Sequence, residues 1–301
     1  MDRSFSALGL SCLLILGVAL RAQTPATNGS HHIYIGFLDD DREEMANWKP
    51  GVAHQRLIRP AFERTDSEWQ TVTSSIPSRV EWTVAFDGKN IGQVESQSDS
   101  DSLTAVQTIL TPASAIPTIG APSQEFAGLM AMGPGKVRRP LVVVSGPNFR
   151  DPDGWKRVTK LPVAIAALVR SAFRRDFPHV DRCKDEEVVE RDWRFPDSSL
   201  GFLIAYGSNK NSFIVETQLS AGNCGWIDDP NDPLSAPWFF VSPDGGVRRI
   251  GSFMSLLDAG DYDNDGKSEL VFFFSQGENT DGFVLFDASL QKQVSLTWHY
   301  H

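Results

Sequence analysis

The stretch "DAGDYDNDGKSELVFFFS", residues 258–275, decides how the C-terminal part of the chain is read. Counted from Asp261, carboxylates stand at positions 1, 3 and 5 (Asp261, Asp263, Asp265), Gly266 follows, and Glu269 stands at position 9. Alternate acids in a tight turn direct their oxygens at one centre, and calcium takes about six to eight oxygens at roughly 2.3–2.6 Å. The glycine permits the sharp turn, the backbone carbonyl of Lys267 offers a further oxygen, and Glu269 completes the set. Without a cation, each of these carboxylates would raise the pKa of the others. The setting is fixed by the residue at position 12. A helix-flanked calcium switch puts a bidentate Glu there and leaves by a helix. Here that residue is Phe272, inside "LVFFFS", which reads as strand. The expected element is a calcium clip on a β-hairpin, with a solvated Asp/Gly turn as the alternative.

The loop resembles the calcium loop of FG-GAP/VCBS repeats, the type found in integrin α-subunit propellers. In that pattern D-x-D-x-D-G-x-x-D/E runs directly into a strand. Asp261, Asp263, Asp265, Gly266 and Glu269 match it, and "LLDAGD" resembles its entry. Glu269 replaces the more usual Asp, the FG-GAP phrase is absent, and the pattern occurs once, over residues of about 250–290. The resemblance implies a structural calcium in a propeller-like blade.

Outward from the loop, hairpins dominate. "ELVFFFS" and "FVLFDASL" flank one turn, "APWFFVS" and "VRRIGSFM" another, "GFLIAYG" and "SFIVETQL" a third, and "VEWTVAF-DGKN-IGQVES" a fourth around an Asp-Gly turn. "IYIGFL" (33–38), "PLVVVSGP" (140–147) and "KQVSLTWHYH" add strands. One segment, "LPVAIAALVRSAFRRDFP" (161–178), is helical by period, with Pro162 in its first turn, arginines in its last, and Pro178 as its stop. Residues 97–140, rich in Ser, Pro and Gly, read as a surface excursion or a sub-boundary. The expected fold is mainly β, built of antiparallel hairpins in a propeller-like arrangement, with one packed helix at about 162–176.

The chain carries 301 residues, and 41% are hydrophobic, enough for a substantial core. A formal net charge of −10 and the lack of any Lys/Arg stripe argue against a nucleic-acid binder. Residues 1–22 have the form of a signal peptide: Arg3, an apolar run over 7–20, and a small residue at Ala22. That run is shorter than the ~20 residues of a membrane span, and no later stretch is long enough to make one. The expectation is an exported chain (periplasm, cell surface or secreted) whose residues 23–301 form a single β-rich domain. Export leaves Cys183 and Cys224, which either pair in the oxidising compartment or are two unrelated thiols.

Other candidates are weaker. "DDDREE" (39–44) has no glycine turn, "RDPDGW" (150–155) holds half of an acid loop and reads as a plain turn, and "DDPNDP" (228–233) is broken by prolines. The six histidines show no metal-ligand spacing, and Ser145 in "VVVSGPN" lacks the G-x-S-x-G frame of a nucleophile. No catalytic constellation emerges. The expected function is binding or structural interaction with an extracellular glycan or protein. The alternative is a secreted hydrolase of an extracellular polymer. Trp226, Trp238 and Trp298 discriminate in part: an accessible face beside a cleft favours sugar contact, burial favours core.

Overall fold

A computed structural model of the chain describes residues 32–39, 57–65, 68–73, 75–98, 106–117, 139–146, 148–225, 227, 229–276 and 280–299. The proposed leader, most of the acidic run 39–44, and much of the 97–140 stretch lie outside the described residues, as does Trp226.

Seven strands make the first sheet: β1 (Ile33–Asp39), β2 (Leu57–Thr65), β3 (Glu68–Thr71), β4 (Arg79–Phe86), β5 (Lys89–Ser98), β6 (Gln107–Ile109) and β7 (Leu141–Val144). Their order is β1-β7-β4-β5-β6-β2-β3, and β1 also pairs with β2, so six strands close on themselves and hide their edges. Alternation decides the two faces of this barrel. Tyr34, Leu38, Ile58, Val80, Trp82, Val84, Val94, Leu141 and Val143 form the inner cluster. Ile35, Phe37, Phe62, Ala85, Val142 and Val144 face outward, toward the next layer.

Pro60 lies within β2, where a missing N–H should interrupt a ladder. The pairing with β1 shifts register between Ile35 and Gly36, and Pro60 sits opposite Gly36 at that irregularity. Strand β6 lies within the 97–140 stretch. It is short and polar because Gln107, almost fully buried, turns its side chain inward, accepting a hydrogen bond from Ser96 Oγ and donating to the Pro77 carbonyl.

A short strand, β8 (Lys156–Arg157), precedes the helix α1 (Val163–Asp176). Pro162 sits at its N-cap, Arg174 and Arg175 lie in its last turn, and Ala166, Val169, Ala172 and Phe173 are its buried face. Leu168, off that face, is exposed. The hairpin β9 (Arg182–Lys184) and β10 (Glu187–Glu190) follows. Next come β11 (Leu200–Gly207), β12 (Phe213–Leu219), β13 (Trp238–Val241) and β14 (Val247–Gly251), which with β8 form a five-stranded sheet. The last sheet is a meander of β15 (Met254–Gly260), β16 (Glu269–Gln276), β17 (Thr280–Phe286) and β18 (Gln293–His299).

The fold is therefore mainly β, antiparallel throughout its paired strands, with one α-helix among the described residues. The meander has the strand number of a propeller blade, but the other described sheets have seven, five and two strands. The layers explain the sequence runs. Leu257, Val271, Phe273, Phe283 and Leu285 pack on the barrel, while Leu256, Leu270, Phe272, Val284 and Phe286 pack on the five-stranded sheet beside Trp238 and Ile214. A sheet covered on both faces reads as an unbroken apolar run, as "LVFFF" and "FVLF" do. Helix α1 covers the far face of the five-stranded sheet through Phe173, Phe239 and Val241.

Candidate metal centre and its cavity

The hairpin β15–β16 pairs Gly260 with Glu269, so residues 261–268 form the connecting loop and Glu269 opens the outgoing strand. Phe272 lies in strand β16, and no helix leaves the loop. Gly260 is required where it stands: a Cβ there would lie 2.2 Å from the Phe149 ring, which packs on Tyr262. Gly266 has φ +85°, a left-handed conformation that glycine takes without strain.

Each acid of the loop uses one oxygen to hold the turn. Asp261 Oδ2 accepts the Gly266 N–H at 3.0 Å, Asp263 Oδ1 that of Asp265 at 3.0 Å, and Asp265 Oδ1 that of Lys267 at 2.8 Å. Ligand oxygens of the same three side chains lie within 4.8 Å of one another. Oxygens shared by one ion at roughly 2.3–2.6 Å fall within about 5 Å of each other, so this spacing fits calcium. Asp261 is 4% exposed, and its Oδ1 has no hydrogen-bond partner among the described residues. A buried anionic oxygen left without a donor is costly. A cation held between these carboxylates removes that cost.

Of the five residues singled out in the sequence, the structure gathers Asp261, Asp263 and Asp265. Glu269 is buried at the edge of the loop, with Oε2 accepting the Tyr262 N–H at 2.9 Å. Burial, reinforced by the charge of Asp263, pushes its carboxyl up to about 9. Lys267 is exposed, and its Nζ lies 3.5 Å from Asp265 Oδ2. Asp263 is also raised, first by burial, against the opposing pull of Arg64.

Sequence reasoning missed the residues that surround the loop. Arg64, from β2, forms an ion pair with Asp263 Oδ2, and its guanidinium stacks 5.6 Å from the centre of the Trp69 ring. Asp258, buried in β15 opposite Val271, accepts the Gly88 N–H at 2.9 Å and is pushed up to about 7 by burial. Asp151, in the half-loop 150–155, accepts the Ser268 hydroxyl at 2.5 Å and so ties that turn to the loop. Arg64 comes from a segment about 200 residues upstream that carries no metal-site pattern, so no local signal announces it.

Beside the loop opens a cavity of about 770 Å³, with Arg64, Trp69, Asp263, Asp265, Lys267 and Lys292 in its wall. Two more of its acids are engaged. Asp287 Oδ1 accepts the N–H groups of Gln291 and Lys292 at 2.9 and 3.1 Å, and Glu68 pairs with Lys292 Nζ at 3.0 Å.

The other candidates are settled by their contacts. Cys183 and Cys224 are joined in a disulfide. Ser145 Oγ accepts the Tyr34 N–H, a strand-end role. Trp238 is fully buried with its Nε1–H on the Met254 carbonyl, and Trp298 packs at the edge of the barrel-facing cluster. Among the described residues no helix is long and apolar enough to cross a membrane. No protein-family model, curated protein or solved structure matches the chain.

Proposed function

We propose that this is an exported, calcium-stabilised β protein that acts by binding or structural interaction with an extracellular glycan or protein. The observation that carries the calcium reading is Asp261 Oδ1, buried and without a donor among the described residues, within reach of the oxygens of Asp263 and Asp265. The likeness of the loop to an FG-GAP/VCBS calcium loop supports the same ion. The Cys183–Cys224 bond supports an oxidising compartment, where such bridges persist, and agrees with a leader at residues 1–22. By the chain-entropy model a bridge across 41 positions stabilises by roughly 3–4 kcal/mol. The hydrolase alternative requires two free carboxylates converging on a substrate. In the cavity beside the loop, Asp287 is committed to its own turn and Glu68 to Lys292, so neither favours it.

The test is a calcium titration followed by melting temperature. At a concentration near 100 times the dissociation constant, calcium should stabilise the protein by about 2.7 kcal/mol. Asp263→Ala should remove the response. A wild-type protein whose melting temperature ignores calcium would sink the site.

A further inference from the structure

We propose that an ion in the 261–269 loop keeps coordination positions open to the adjoining cavity, and that adjacent hydroxyl groups of a neutral sugar fill them. This rests on the calcium reading above, and it narrows the glycan reading to one ligand class and one surface.

The ion's place is one-sided. Asp261 is buried and is not part of the cavity wall, whereas Asp263, Asp265, Lys267 and Glu269 all line it. The oxygens that the loop can offer are few. Asp261, Asp263 and Asp265 each give one oxygen to a backbone N–H and keep one for the ion. Glu269 gives Oε2 to the Tyr262 N–H and keeps Oε1. The Lys267 carbonyl makes a fifth, and five is the most this loop supplies. Calcium takes about six to eight oxygens, so about one to three positions are left over. Protein closes the side of Asp261, so the open positions face the cavity. Two neighbouring hydroxyls on a rigid ring can replace two waters at once.

Charge selects a neutral ligand. The wall holds Glu68, Asp263, Asp265, Glu269 and Asp287 against Arg64, Lys267 and Lys292. With Asp261 behind it, six carboxylates face three cationic heads, and a divalent ion cuts that excess to a single negative charge. Each cationic head already has an acid: Arg64 has Asp263, Lys267 has Asp265 and Lys292 has Glu68. No surplus positive charge is left to hold an anion, and the ion repels a cation. The space agrees. A volume of about 770 Å³ is that of a small-molecule site, not of a single ion. Leu285 and Val294 give apolar ground for the carbon face of a sugar ring, and the Gln293 amide is a neutral donor and acceptor beside them.

Terbium luminescence and calorimetric titration of the full chain test this together. Terbium, an oxygen-seeking ion of calcium's size, reports its bound waters through its lifetimes in light and heavy water. In this loop it should carry about one to three. The sugar probes are the methyl glycosides of mannose, galactose and glucose, which between them present cis and trans hydroxyl pairs. At least one should bind about tenfold or more tightly with saturating calcium than with a chelator, and should strip water from terbium at saturation. The fully O-methylated form of that sugar should not bind. Gln293→Ala, at an exposed strand position, should weaken the sugar about fivefold, the worth of one hydrogen bond, and leave calcium affinity without sugar unchanged. A terbium ion that carries no water, or that keeps its waters under saturating sugar, overturns the proposal. So does equal binding in calcium and in chelator, or equal binding of the O-methylated sugar. If calcium binds and none of the three sugars does, only this proposal falls; if calcium itself does not bind, the calcium reading falls with it. A Gln293→Ala variant with unchanged sugar affinity overturns the placement in this cavity.

Discussion

Two aspartate–glycine turns, 151–154 and 261–266, meet at Ser268 and use their carboxylates in different ways. In the first, Asp151 Oδ1 accepts the N–H groups of Asp153 and Gly154 and the Ser268 hydroxyl, while Oδ2 accepts the Trp155 N–H at 2.6 Å. Four donors occupy the side chain, and both of its oxygens are engaged. In the second, Asp261 receives one donor on Oδ2, and Oδ1 has none among the described residues. The number of acids therefore does not by itself mark a metal site. What matters is whether the backbone consumes their oxygens. The six oxygens of three carboxylates on alternate residues outnumber the three N–H groups that the turn aims at them, and the excess oxygens collect on one side.

Breaking the first turn should have the largest effect. Asp151→Ala removes the acceptor of four hydrogen bonds, three of them from backbone N–H groups, and should cost about 3 kcal/mol or more in urea denaturation. The loss should be similar with and without calcium. An Asp151 variant that kept its stability but lost its response to calcium would reverse the roles of the two turns.

Breaking the second turn should look different. Asp261→Asn keeps the size of the side chain and removes its charge. In calcium it should forfeit the roughly 2.7 kcal/mol that a near-saturated site supplies. In a chelator it should stay within about 1 kcal/mol of wild type, because it also relieves a buried carboxyl oxygen that has no donor among the described residues. A large loss in the chelator would show that Asp261 works as Asp151 does.

Burial raises carboxyls at both turns, Asp151 in the first and Glu269 at the second. The Glu269 carboxyl is raised from the ordinary value of 4.5 to about 9, chiefly by burial. Between those limits the folded chain holds a proton that the unfolded chain has released, so folding stability falls as pH rises. Asp258, raised to about 7, and Glu216, raised to about 8 by burial, act in the same direction. Without calcium, melting temperature should decline from pH 5 toward pH 9. Calcium, which needs Glu269 as the anion, should flatten that decline, and Glu269→Gln should remove its share. A wild-type slope that is the same in calcium and in a chelator would take Glu269 out of the ion's surroundings.

Much of this contrast was readable from the residues. The Asp-Gly turn announced β4–β5, the proline-bounded arginine helix announced α1, and Phe272 placed the loop on a hairpin. These signals are local, since each is written in the dihedral preferences or periodicity of neighbouring residues. What escaped was carried by distant pairings. β2 contains Pro60, which argues against a strand until the irregularity opposite Gly36 is known. With β2 unread, Arg64 and Trp69 could not be placed beside the loop. β6 was hidden because its buried side chain is the polar Gln107. The half-loop at 151–154 was rightly a turn, but its bond to Ser268 spans 117 positions and leaves no trace in spacing.

The smallest test concerns the turn itself. Gly266 has φ +85° with nothing within 4 Å of where a Cβ would stand, so Gly266→Ala meets backbone strain without a clash. The expected cost is about 1 kcal/mol, the penalty for a left-handed L-residue. Gly266 also supplies the N–H that occupies Asp261 Oδ2 at 3.0 Å. If the turn tolerates the strain, that bond persists, Oδ1 still faces the cluster, and calcium affinity should hardly change. If it relaxes, Asp261 loses the Gly266 donor and swings, and calcium affinity should fall together with stability. Measuring both in one variant asks whether the backbone of this turn merely closes the hairpin or also aims the carboxylate.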